Sequence, residues 1–243
     1  MKTLRFIGMA LFAILMCVNF AACSSGDEDP TNENDLPIEN DSKQKLIASL
    51  TISGKTFNFT YNTKNQLISV SEVGNNNKID FEWSDTQIKA TPTNKYETEP
   101  VIYTLKNGVI ASVGGNKLTY DKDNHLISAN NDNWTWSNGN ISKFVHKNDN
   151  ETQTYTYTYY TDKENKHPIA DVSSARLYYV GALEYDELLF IAHPSLLGKI
   201  NKNLIKTRTE DSYVDEYIYE LDDNGYPVKI KENGKTAYSI VWK

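Results

Sequence analysis

Four histidines, two cysteines and a scatter of carboxylates are the residues of this chain with chemistry to offer. The histidines are His125, His146, His167 and His193. No two of them stand four apart, as a zinc pair on a helix would, and His167 and His193 each directly precede a proline. Zinc needs three or four clustered ligands, so these read as loop or surface histidines and no metal is expected. Asp121-Lys122-Asp123-Asn124 and Asp222-Asp223-Asn224-Gly225 resemble the start of a calcium loop. Each lacks the distant bidentate glutamate, and a tight hairpin turn accounts for both. Ser195 follows a proline and has no strand–turn–helix setting, and no Gly-x-Ser-x-Gly elbow occurs. Glycine-rich phosphate loops are also missing, since Gly114-Gly115 reads as a turn. No catalytic residue and no cofactor is therefore expected. The alternative is a hydrolase using carboxylates from different hairpins, about 5–10 Å apart.

The cysteines point to export. Lys2 and Arg5 form a short basic stretch, followed by an apolar run from Phe6 to Phe20. That run has the length of a signal-peptide core and falls short of the roughly 20 apolar residues of a membrane span. It ends in Phe20-Ala21-Ala22-Cys23, which resembles the lipobox of bacterial lipoproteins. The resemblance implies a signal peptide over residues 1–22, cleavage before Cys23 and lipidation of its thiol. Cys17 lies in the discarded segment, so the mature chain has no second thiol for a disulfide, a metal or a nucleophile. Ser24-Ser25-Gly26-Asp27-Glu28-Asp29-Pro30 is similar to the acidic export tag of Bacteroidetes-type lipoproteins, and also serves as a plain solvated tether. The expected address is the outer membrane, lipid-anchored and facing the cell exterior.

Loss of Lys2 and Arg5 with the signal peptide moves the net charge from −7 to −9, since residues 1–22 contain no acid. Nucleic acid, bound by neutralising phosphates with Lys and Arg, is thereby disfavoured as a partner. From Cys23 to Lys45 the chain is polar and acidic, with Leu36 and Ile38 its only large apolar side chains. Such a stretch cannot repay its ordering entropy and is expected to be a disordered linker.

Residues 46–243 carry a strand pattern throughout. In Thr152–Tyr159 threonines and tyrosines alternate, which puts Tyr155, Tyr157 and Tyr159 on one face. Phe57/Phe59/Tyr61, Ile79/Phe81/Trp83, Trp134/Trp136, Tyr217/Tyr219 and Tyr238/Ile240/Trp242 read the same way. The strands recur with their turns. Residues 59–70, 118–129 and 218–230 each lead in with aromatics, turn on Asn or Asp, and leave as an apolar strand; residues 102–113 are a looser copy. Asn-Gly and Asp-Asn accept the positive φ of a tight hairpin. A hairpin cannot bury its own aromatic face, so neighbours must pair. The pattern breaks between His167 and Lys206, where a longer loop with one short helix, in the 180–205 region, is expected to plug or cap an end of the sheet. Pro194 and Gly198 limit any helix between them to one turn.

Tyr120-Asp121 is similar to the dipeptide of YD-type or RHS-like hairpin repeats; Tyr61-Asn62 and Tyr219-Glu220 depart from it. Lipobox, acidic linker, tyrosine-rich hairpins and Gly198-Lys199-Ile200-Asn201-Lys202-Asn203-Leu204 together resemble a Bacteroidetes-type lipoprotein family of unknown function with a porin-like fold. That resemblance implies an all-β domain, a single antiparallel sheet of repeated hairpins that is curled or barrel-like. It carries over no catalytic residue. A transmembrane barrel would need a lipid-facing apolar band. The faces opposite the aromatics here carry Thr, Asn, Lys and Glu, so a soluble domain sharing only the shape is expected.

Most aromatics of a β-rich domain serve its core. Should any face outward, Trp83, Trp134 and Trp136 are the residues to stack on a sugar ring. The expected role is a non-catalytic binding or interaction module for glycan or for an envelope or host protein, joined to the membrane by its lipid. A purely structural envelope protein is the other reading.

Overall fold

The computed structural model describes residues 45–93, 99–147, 151–174 and 186–243. The expected signal peptide, Cys23 and the expected linker as far as residue 44 lie outside the described residues.

Sixteen antiparallel strands close into a barrel. The first quarter is β1 (Ile47–Ile52), β2 (Lys55–Tyr61), β3 (Leu67–Glu72) and β4 (Lys78–Trp83). Next come β5 (Gln87–Thr93), β6 (Val101–Lys106), β7 (Val109–Val113) and β8 (Asn116–Tyr120). Then follow β9 (Leu126–Ala129), β10 (Asp132–Ser137), β11 (Asn140–Lys147) and β12 (Thr152–Glu164). The last four are β13 (Asn203–Glu210), β14 (Tyr213–Leu221), β15 (Pro227–Glu232) and β16 (Lys235–Trp242). Each strand pairs with its sequence neighbour, and β16 pairs with β1 to complete the ring. The sheet is thus closed, and among the described strands no edge is left to pair with another chain.

The three close repeats share one turn. Asn62, Asp121 and Asp222 each accept, on side-chain Oδ1, the backbone N–H groups two and four residues on. Asn65, Asn124 and Gly225 occupy the positive-φ position of these turns. Asn and Asp suit the first position because a side-chain oxygen there replaces a turn carbonyl. At the third repeat Lys45 reaches Asp222 at 2.6 Å, so the chain enters the barrel at the end that holds these turns.

The aromatic that closes each repeat has a specific task. Trp83, Trp136 and Trp242 donate their indole N–H groups to the carbonyls of Leu67, Leu126 and Pro227, at 2.7, 2.8 and 2.9 Å. Tyr120 and Tyr159 do the same with their hydroxyls, to Ile110 at 2.8 Å and Ile141 at 2.7 Å. Every acceptor faces a register shift in the preceding strand. A bulge disrupts the ladder locally, and the aromatic donor satisfies the carbonyl there.

The core lies inside the ring. Alternate residues of each strand point inward, among them Leu50, Ile88, Tyr103, Ile110, Phe144 and Tyr155, each at most 1 % exposed. They join one apolar cluster with the segment that leaves the wall after β12. That segment forms α1 (Ile169–Ser174), α2 (Asp186–Ala192) and a single 3-10 turn over Pro194–Leu197. Helix α1 touches β13, α2 touches β3 and the 3-10 turn touches β7. These strands are well separated round the ring, so an element pair that reaches all three lies in the lumen. The segment is a plug. Two helices and a turn stand where one short helix was expected, and α1 precedes the expected region. Ile169, Ala170, Asp171 and Val172 are all buried, and at six residues α1 is too short to show a helical period in the sequence.

The outer wall is polar. Asn58, Thr60, Thr135, Lys143, Thr156 and Glu216 are exposed on the faces opposite the core residues. The large apolar residues exposed on the wall, such as Val214, Ile218 and Val241, sit among Lys, Glu, Ser and Thr neighbours.

Candidate functional site

Polar side chains gather at both ends of the barrel. At the plug end the histidines occupy repeat-related places. His193 packs edge-on against Trp83, with ring centres 5.1 Å apart; His125 stacks on Trp136 at 4.5 Å; His167 meets Trp242 at 4.9 Å. The plug also docks by backbone. Lys199 donates its N–H to the Asn124 carbonyl at 2.8 Å, Lys202 to Gly139 at 2.9 Å, and the Asn201 side chain accepts the Ile141 N–H at 2.6 Å. His167 and His193 stand in loops, as expected, but not on the surface: His167 is 2 % exposed and His193 is half-buried. Both pack edge-on against a tryptophan ring.

Asp171 is the carboxylate of this end. It is 2 % exposed and accepts the Asn165 side-chain amide at 2.8 Å. Burial pushes its pKa up to about 7, against hydrogen bonds from Asn201 and Asn165. Nearby, Asp121, Asp123 and His125 bring three ligand atoms within 4.8 Å of one another. Both oxygens of Asp121 are engaged in its own turn: Oδ1 takes the Asp123 and His125 amides, and Oδ2 pairs with the His125 ring at 2.9 Å. Desolvation acts against these bonds, and they still hold its carboxyl below the ordinary range. The turn explains the cluster.

At the opposite end the inward faces of β10 to β15 turn charged. Asp132 lies two residues before Trp134 on the same face, is 4 % exposed, and pairs with His146 at 2.5 Å. Burial raises its pKa, with the His146 contact opposing. Arg208 sits opposite Tyr157 and Asp215. Its guanidinium bonds Asp215 through Nε at 3.0 Å and through Nη2, and lies 3.5 Å from Glu232. Tyr217 donates to Glu232 at 2.9 Å. Burial alone would lower the Arg208 pKa; Tyr217, Asp215 and Glu232 more than offset it, so the charge is retained. Both carboxylates share one cation, so neither stands as a free carboxylate. Arg208→Met should leave Asp215 and Glu232 facing each other and cost about 2 kcal/mol, below the fully buried case because solvent reaches the group. Urea unfolding at pH 7 measures it.

A closed ring of sixteen antiparallel strands with a plugged lumen places the molecule among known folds. The barrel is similar to porin-like proteins. A porin-like protein from Bacteroides uniformis matches with a TM-score of 0.58 and 16 % identity, over 81 % of this chain and 96 % of that one. A second, from Bacteroides vulgatus, matches with a TM-score of 0.52 and 12 % identity, over 82 % and 98 %. No family model and no curated protein matches the chain. At these identities the likeness shows the fold alone.

The three tryptophans singled out in sequence fall in different places. Trp134 is 4 % exposed, stacked on Phe144 at 5.1 Å, with Tyr155 next in the stack. It offers no face to a ligand. Trp83 and Trp136 are half-buried at the plug end, one against the first close repeat and one against the second. Sequence reasoning missed Asp171, His167 and His193 as one group and Arg208 with its acids as another. The first arises from the fold of the plug, which has no periodic signal. The second could be found once the register of β13 on β14 is known, because Arg208 and Asp215 are then directly opposite.

Proposed function

We propose that this chain is an exported, lipid-anchored envelope protein whose barrel is a non-catalytic interaction module and not a channel. The observation that carries the reading is the inverted polarity of the wall. A membrane pore is apolar outside and polar within; here the inside is apolar and filled by α1 and α2 while the outside carries Thr, Lys, Glu and Asn. A barrel of that kind belongs in water and needs a separate anchor, which Cys23 supplies in this reading. Half-buried Trp83 and Trp136, with indole N–H groups fixed to the backbone, are rigid rings suited to a glycan or to a protein surface. The pairing of Asp132 with His146, and of Asp215 and Glu232 with Arg208, supports a binding role over hydrolysis by free carboxylates.

Cell fractionation tests the reading. The wild-type protein should follow the outer membrane and be cut by protease added to intact cells. Cys23→Ala should leave the membrane fraction while keeping the barrel folded. Retention of Cys23→Ala in the membrane, or ion conductance by the protein in a planar bilayer, would overturn the proposal. A glycan screen of the exported protein, read by tryptophan emission and repeated with Trp83→Ala, separates a sugar ligand from a protein partner.

A further inference from the structure

The plug carries three titratable groups, His167 and Asp171 buried and His193 half-buried, that no ion pair neutralises among the described residues. His193 accepts the Leu67 N–H on Nε2 at 2.9 Å, so that nitrogen must be unprotonated while the plug is docked. Around it stand Tyr61 of β2, Trp83 of β4 and His167 of the plug itself, and Lys243 lies 6.0 Å from the Tyr61 ring. His167 is wholly enclosed against Trp242 of β16, and its Nδ1 has no partner among the described residues. Asp171 faces Asn165 and Asn201 from its own segment, Tyr159 from β12 and Tyr219 from β14. No lysine or arginine among the described residues pairs with it.

We propose that the plug is an acid-releasable stopper: protonation of His193 and His167 undocks it from the turns of the plug end while the barrel wall stays closed. The inference rests on the plug filling the lumen and does not need the anchor or the ligand of the preceding section.

The sign of the effect follows from which state binds protons. Burial lowers the His193 pKa to about 4 and, with His193 nearby, that of His167 to about 3, from 6.5. A released plug therefore takes up protons that the docked plug refuses. Each histidine favours release about tenfold per pH unit as the pH falls from the ordinary value towards the docked one. Asp171 opposes this. Its docked pKa of about 7 lies above the free value of 3.8, so between those limits the docked plug holds the extra proton. Two histidines against one carboxyl leave about one net proton taken up on release between roughly pH 6 and pH 4.

Hydrogen exchange of the full chain, resolved by peptide and corrected for intrinsic rates, reads the equilibrium directly. Peptides over 165–174 and 186–202 should lose protection about tenfold per pH unit from pH 6 to pH 4, while those of β4 to β6 keep theirs. Asp171→Asn removes the opposing group and should steepen the loss to about a hundredfold per unit. His193→Gln keeps an acceptor for Leu67 but cannot be protonated, and should flatten the curve. Plug protection that is independent of pH, that falls in step with the wall, or that is unchanged by His193→Gln would overturn the proposal. Should Asp171→Asn fail to fold, His193→Gln decides alone.

Discussion

Gly198→Ala should lower the melting temperature by roughly 10 °C, corresponding to about 3–4 kcal/mol at about 3 °C per kcal/mol for a barrel of this size. Gly198 follows the 3-10 turn with φ 79° and ψ −138°, a region open to glycine and costly for any side chain. A Cβ there would stand 2.3 Å from the Asn124 carbonyl and 3.1 Å from the Tyr120 ring. Neither neighbour can give way. Asn124 is the positive-φ residue of the second repeat turn, and the Tyr120 hydroxyl is bonded to Ile110. The side chain would thus force the plug off the turn it docks on, breaking the bond from Lys199 to Asn124. Differential scanning calorimetry checks the melting point. Gly54→Ala, whose Cβ meets nothing within 4 Å, is the control for backbone strain alone and should cost about 1 kcal/mol. Equal losses at the two sites would show that the close approach at Gly198 is not what constrains it.

Trp134→Ala should cost about 3–5 kcal/mol in urea unfolding, the usual range for emptying a fully packed aromatic site. Trp134, Phe144 and Tyr155 form a stack across β10, β11 and β12, with rings 5.1 and 5.6 Å apart at 26° and 24°. The register pairs Trp134 with Phe144 and Phe144 with Tyr155, so one truncation leaves a void that fixed strands cannot close. Trp134→Phe retains part of the stack and should lose less than half as much. The same substitutions at Trp136 act differently. There the indole N–H holds the Leu126 carbonyl, and Trp136→Phe forfeits that bond for about 1–2 kcal/mol despite preserving most of the ring.

Much of the wall was legible because its signal is local. The alternation in Thr152–Tyr159 has a period of two, and the structure keeps Tyr155 and Tyr157 buried with Thr156 and Thr158 outside. The Asn62, Asp121 and Asp222 turns were readable for a similar reason: the chemistry of a turn is contained in five residues. What escaped is non-local. Closure depends on Ile47 facing Trp242, which no window of sequence displays. The plug falls between His167 and Lys206, where it was expected, yet α1 was hidden because six residues are too few to show a helical period. The surface placement of two histidines failed for a related cause. His167 and His193 precede prolines, a loop signature, and the loop proved to run through the core. Trp134 and Trp136 share one strand and one face, but a register shift between Thr135 and Trp136 separates the ring inside the stack from the ring at the rim.

The pairing of β1 with β16, with the Lys243 amide bonded to the Leu46 carbonyl at 2.7 Å, also sets the order in which this molecule can form. Fifteen of its sixteen seams join consecutive strands and can zip from nearby contacts. The last seam joins the two ends and must wait for the whole ring to be roughly in place. Loop-closure entropy makes such a contact slow and late. Until it forms, two unsatisfied edges are open to other chains, and the lumen has no complete boundary against which the plug can pack. The ring must therefore close before the plug can pack fully, and the hazardous interval in the life of this protein is the one just before its final strand finds its first.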